Sequence, residues 1–217
     1  MITALPRREL ATRRAPWARR LASTLERLGV QPNTVSMMSI AFSLVALASF
    51  ALVPRANGSA RAALFIAAAA AIQLRLLCNL LDGMLAVEGG LKTRTGELYN
   101  EVPDRVADIV ILAGAGCSIP GLAGGFALGS AAAISAMFTA YVRVLAGALG
   151  GTQRFIGPMA KQHRMFVLTV GALVSAIEAI AGLPAEAMRL ALGVIVIGAV
   201  ATAWRRIESI ARELEAR

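Results

Sequence analysis

Five side chains able to hold a hard cation, Asn79, Asp82, Asn100, Asp104 and Asp108, fall within one polar stretch of an otherwise very apolar chain. Asn79, Asp82, Gly83 and Ala86 are spaced i, i+3, i+4, i+7, which puts them on one face of a helix. Asn100, Asp104 and Asp108 recur every four residues and share a face of the next helix. Carboxylate and amide oxygens suit Mg²⁺ or Mn²⁺, usually together with phosphates of a substrate. The implied chemistry is the positioning of a diphosphate. Carboxylates at the edge of a bilayer are expensive and by default mark a working site.

The elements that must position these residues are membrane helices. Hydrophobic residues make up 57% of the 217 and charged ones 16%, and the mean hydropathy is +0.67, which excludes an ordinary soluble domain. Several runs approach the roughly 20 apolar residues a helix needs to cross the hydrocarbon core, and none alternates like a barrel strand. The expected class is an all-α integral membrane protein. Residues 1–32 form a basic juxtamembrane segment whose positions 16–29 place Trp17, Leu21, Leu25 and Leu28 on one face of an interfacial helix. That segment reads as mature protein rather than a signal peptide. Residues 33–204 form a six-helix transmembrane domain, with spans near 34–53, 61–85, 97–118, 122–148, 165–183 and 187–204. A charged helical tail, 205–217, lies outside the bilayer. Pro103 falls in the first two turns of the third span, where its missing N–H costs least.

Lys and Arg fix the orientation. With six spans, sixteen of them lie on the side holding both termini and the polar stretch, against Arg55, Arg61 and Arg189 on the other. The positive-inside rule then puts both termini and the site in the cytoplasm, with a bacterial inner membrane as the expected location. Cys78 and Cys117 have no metal-type spacing and imply no disulfide framework. His163, the single histidine, has no partner for a metal role.

Asn79, Asp82, Gly83, Ala86, Val87, Gly96, Asn100 and Asp104 resemble, at matching spacing over 26 residues, the pattern D-x2-D-G-x2-A-R-x8-G-x3-D-x3-D of the CDP-alcohol phosphotransferases. Six spans after an interfacial amino-terminal helix also fit that family. The resemblance implies a transferase of phospholipid biosynthesis that uses magnesium or manganese, with Asn79, Asp82 and Asn100 at metal-binding positions. It implies Asp104 as the catalytic base that activates the acceptor alcohol. Gly83, Ala86 and Gly96 stand at nucleotide-binding positions, where a bulky side chain would collide with the cytidine nucleotide. The donor would be CDP-linked, most simply CDP-diacylglycerol, and CMP would leave. Tyr141-Val142-Arg143 resembles the segment where the family directs an arginine to the donor phosphate.

The departures are specific. Asn79 and Asn100 replace two aspartates, and Val87 replaces the arginine. Each Asn still offers a carbonyl oxygen but removes one negative charge, which weakens divalent binding. Glu97, Glu101 and Asp108 are the nearby acids that would compensate. Arg75 lies about 6 Å deeper than Asn79, and Asp108 about 6 Å beyond Asp104, at ~1.5 Å per residue. Because the two helices run oppositely, Arg75 and Asp108 are expected to form a structural ion pair.

Two readings remain for Arg143, a phosphate contact or a snorkelling anchor. Two also remain for the basic loop 157–164 with Lys161 and Arg164: a phosphate-binding patch, or positive-inside anchoring. At the level of function, the alternative to the transferase is a non-catalytic or weakly active nucleotide- or lipid-binding relative. A small transporter fits the short far-side loops but not the motif spacing. Expected partners are the CDP-linked donor, an alcohol acceptor, membrane lipids and a second copy of the chain in a homodimer, with no nucleic acid.

Overall fold

The computed structural model describes residues 15–87, 95–153, 155–183 and 186–216. Arg7, Arg8, Arg13 and Arg14, the loop with Lys92 and Arg94, Arg154, Pro184 and Arg217 lie outside the described residues, as do the side chains of Val87 and Glu97. Among the described residues the regular structure is entirely helical: α1 (Pro16–Arg27), α2 (Pro32–Leu52), α3 (Gly58–Val87), α4 (Gly96–Cys117), α5 (Leu122–Ala148), α6 (Lys161–Ile180) and α7 (Glu186–Glu215). A 3₁₀ turn, Val53–Arg55, follows α2.

Helix α1 starts with Pro16 in its first turn and ends at Gly29, whose φ of 70° suits a residue without Cβ. It buries Ala18 and Ala22 against a cluster that includes Leu81, Met84 and Leu85 of α3, with Leu21 and Leu25 packed on the margin. Trp17 and Leu28 stay exposed. The apolar face is thus shared between the protein and the outside, and α1 braces the end of α3 that carries Asn79 and Asp82.

Among the described residues, five helical stretches are long and apolar enough to cross a membrane: Pro32–Arg55, Gly58–Ala86, Gly124–Ala148, Lys161–Ile180 and Glu186–Glu215. The expected third span, α4, has the length but carries Glu97, Glu101, Asp104, Arg105 and Asp108 between its start and just past its middle, so composition does not mark it. Helix packing follows a closed order, α2–α3–α6–α7–α5–α4 and back to α2. Phe50, Phe65, Ile72, Ile111, Leu112, Leu168, Met188 and Leu192 fill the core. Ile134, Phe166, Ile177 and Ile197 point outward, as side chains facing lipid would.

Three expectations change. Helices α3 and α4 are consecutive but touch only slightly; α2 packs broadly against both and is the neighbour each leans on. Helix α6 begins at Lys161 rather than at 165, because Ala160 is extended after the Gly157–Pro158 turn and Arg164 continues the inward stripe of Leu168, Gly171 and Ser175. Helix α7 is continuous across 204/205, so the charged helical segment from 205 directly extends the last span. Its buried stripe of Ile195, Ala199 and Thr202 extends to Arg206 at helical spacing.

Pro103 also sits deeper than expected, eighth in α4, where it removes a backbone bond to the Tyr99 carbonyl. The residue after it is Asp104. Farther along, α4 crosses α5 on glycine: a Cβ added to Gly116 would lie 2.4 Å from the Gly125 carbonyl oxygen, and one on Gly129 would lie 2.8 Å from Gly116 Cα. Only backbone this close locks the two helices together so tightly.

Candidate active site

The polar side chains of α3, α4, α5, α6 and α7 meet inside one end of the helical ring. Asp82 is 3% exposed. Its Oδ2 accepts a 2.6 Å hydrogen bond from the Ser36 hydroxyl of α2, while Oδ1 is buried without a partner. One turn back, Asn79 also keeps a buried side-chain nitrogen, Nδ2, without a partner. Gly83 is buried beside Asp82, and Ala86 is half-buried one turn on. These residues share the α3 face expected of them.

Across the gap, the α4 carboxylates are fully engaged. Arg75, with no exposed surface, places Nη2 2.7 Å from Asp108 Oδ1 and 3.3 Å from Asp104 Oδ1, and the same nitrogen donates to the Asp104 carbonyl at 3.1 Å. Lys161 Nζ donates to Asp104 Oδ2. Arg164 Nη2 meets Asp108 Oδ2 at 3.0 Å. The Arg75–Asp108 pair therefore exists and is one link of a chain, Lys161–Asp104–Arg75–Asp108–Arg164, which ties α3, α4 and α6. A buried charge left without its partner is destabilising by roughly 3–5 kcal/mol, so these contacts hold one another in place.

Lys161 and Arg164 thus face carboxylates from the first turn of α6 instead of lying in a solvated loop. His163 of the same turn is exposed, with Nδ1 2.8 Å from the Pro158 carbonyl oxygen. Arg143 of α5 turns inward, its Nη2 2.9 Å from both oxygens of Glu101 and its guanidinium over the Phe155 ring. Arg105 also pairs with Glu101. Asn100 is half-buried and makes no hydrogen bond among the described residues, and Gly96 opens α4 half-buried.

Several partners escape sequence reasoning. Ser36 is one, although Ser36, Ser39 and Ser43 form a buried stripe at helical spacing on α2 that could have pointed to it. Arg206 is another: it donates to the Thr139 and Ile156 carbonyls at 2.6 and 3.0 Å, and the Thr139 hydroxyl accepts from Arg164 at 3.2 Å. Among the described residues no three His, Cys, Asp or Glu side chains are grouped to hold a metal.

No protein-family model matches the chain, and no curated protein matches it by sequence. Its fold does match crystal structures of Mycobacterium tuberculosis phosphatidylinositol phosphate synthase. The structure with CDP-DAG bound is 20% identical, with a TM-score of 0.75 over 90% of this chain and 94% of the synthase. The complex with manganese and citrate gives 20% and 0.74 over 89% and 88%, and the apo form 21% and 0.71 over 88% and 94%. The class defined by fold and composition is a helical integral membrane protein. The particular architecture is that of the synthase, over nearly its whole length.

Proposed function

We propose that the chain is a membrane CDP-alcohol phosphotransferase of phospholipid biosynthesis. It moves a substituted phosphate from a CDP-linked donor, CDP-diacylglycerol in the simplest case, to an alcohol acceptor and releases CMP. The observation that carries this reading is the buried set of ion pairs by which Arg75 of α3, the helix of Asn79 and Asp82, holds Asp104 and Asp108 of α4, in the fold of a synthase solved with CDP-DAG bound. In this reading α4 is the third of six spans, its charges turned to the cleft, and the cleft faces the cytoplasm.

Asp104 takes the proton of the acceptor hydroxyl as that oxygen bonds to the phosphorus carrying the transferred group. The P–O bond to the CMP phosphate breaks, and its electron pair leaves with CMP. Arg75 and Lys161 fix the orientation of the Asp104 carboxylate. Such a positioned base contributes roughly 10²–10⁴ in rate. Gly83 and Ala86 leave room for the nucleotide. Arg143, Lys161 and Arg164 supply the cationic lining for phosphate.

Manganese in the synthase supports a divalent cation in this reading as well. The free, buried Oδ1 of Asp82 beside Asn79 fits one whose remaining ligands belong to the substrate, with Asn100 as the α4 contributor. When bound, the cation offsets the charge of the diphosphate.

The test is release of CMP from CDP-diacylglycerol in membranes containing the chain, with Mg²⁺ or Mn²⁺ and a panel of alcohol acceptors. Release that Asp104→Ala abolishes is the expected result. A second reading, a binding protein without turnover, draws on the two asparagines and predicts nucleotide binding with no release for any acceptor.

A further inference from the structure

We propose that this site takes its divalent cation only together with a diphosphate, and does not hold the free ion, because the chain neutralises its own carboxylates. The inference rests on the reading of the cleft as a CDP-dependent site and names how that site is loaded.

The charges decide it. Asp104 gives one oxygen to Arg75 and the other to Lys161, and Asp108 gives one to Arg75 and the other to Arg164. Asp82 lies within electrostatic reach of Asp104 and Lys161. Asp82, Asp104 and Asp108 together balance Arg75, Lys161 and Arg164, so these six groups sum to zero, with Arg206 a further cation near Arg164. Glu101, which could have compensated for Asn79 and Asn100, is claimed by Arg105 and Arg143. Asp108 is claimed as well.

What remains open is narrow. Among the described carboxylates of the cluster, the one buried oxygen without a partner is Asp82 Oδ1, on a residue 3% exposed. A doubly charged ion held there by amides and a single carboxylate would leave the pocket with excess positive charge, and uncompensated charge in a buried site is strongly unfavourable. The unpartnered donors point the same way: Arg75 Nε and Nη1 and Arg164 Nε are buried without acceptors. Buried donors of this kind favour an added anionic oxygen over an added cation.

A diphosphate esterified at both ends, as in a CDP-linked donor, carries two negative charges, and CDP, with its terminal phosphate free, carries at least as many. Together with one divalent cation it restores neutrality and brings the missing oxygens. The asparagines are then the device that prevents loading by the ion alone, and Lys161 with Arg75 occupies Asp104 until the diphosphate arrives.

The experiment is a Mn²⁺ titration of the full-length protein in detergent or nanodiscs, read by the electron paramagnetic resonance of the free ion. It is run with and without CDP and corrected for Mn²⁺ bound by CDP in solution. The expected result is saturable binding with CDP and none without it. Asn79→Asp combined with Asn100→Asp should bind Mn²⁺ without CDP, tighter than the unmodified protein by roughly tenfold or more. Lys161→Gln, which frees one oxygen of Asp104, should give a smaller gain in the same direction.

Equal Mn²⁺ affinity with and without CDP, or no gain in the double variant, overturns the inference. Calorimetric titration with CDP separates the two levels. CDP binding accompanied by CDP-independent Mn²⁺ binding defeats this inference alone, whereas no CDP binding with or without Mn²⁺ defeats the reading of the site and this inference with it.

Discussion

The two sides of the cleft handle acidic groups in opposite ways. On α3, Asp82 has one neutral partner, the Ser36 hydroxyl, and one oxygen with none. On α4, Asp104 and Asp108 are saturated by three cations from α3 and α6. Asp104 and Asp108 are held by ion pairs that join α4 to α3 and α6, whereas one oxygen of Asp82 is left without a partner. Carboxylates on the two motif helices therefore stand in different electrostatic settings.

Substitutions can break or sharpen this contrast. The largest effect on stability is expected from Arg75→Met, which leaves Asp104 and Asp108 short of a cation on the buried side. It should lower stability by ~3–5 kcal/mol, seen as a large drop in unfolding temperature in detergent. Combining it with Asp108→Leu should recover much of that loss; no recovery would mean that the pair is not the source of the effect.

Gly129→Leu comes next. It forces a side chain into the Gly116 backbone and should cost about 1–3 kcal/mol, by the same melting measurement, while shifting α4 and its carboxylates.

Ser36→Ala removes the one described hydrogen bond to Asp82 and should cost about 1–2 kcal/mol. Because it leaves the α4 ion pairs intact, it should reduce CMP release more than it reduces melting temperature. Equal proportional losses would argue that Ser36 is only structural.

The smallest effect belongs to Arg212→Ala at the exposed end of α7. Its pair with Glu208 sits in solvent, and the change should stay within about 1 kcal/mol by melting temperature.

Much of this contrast is legible in the sequence, but unevenly. The helices are readable because apolar runs of that length have few alternatives, and the α3 and α4 faces follow from residue spacing alone. Arg75 and Asp108 could be matched by depth, because the two helices are linked and run in opposite directions. The remaining partners come from elements far away in the chain. Nothing local tells that α2 packs more broadly against α3 and α4 than they do against each other, or that Ser36 reaches Asp82.

Positive charge was the most ambiguous signal. Lys161, Arg164 and Arg206 look like interfacial anchors in a basic segment, yet Arg164 and Arg206 continue the buried stripes of their helices and Lys161 pairs with Asp104. Charge argues for the surface and periodicity for the interior, and at Arg164 and Arg206 the available carboxylates and carbonyls decide for the interior.

The most direct test of the central claim is CMP release from CDP-diacylglycerol by the purified chain and by its Asp82→Asn variant, in parallel and at equal folded amounts. The variant keeps the shape of the side chain and removes its charge. Release by the unmodified chain is expected in the presence of Mn²⁺ and an acceptor, with a loss of at least roughly 10²-fold in the variant. Release at an unchanged rate by Asp82→Asn would contradict the central claim.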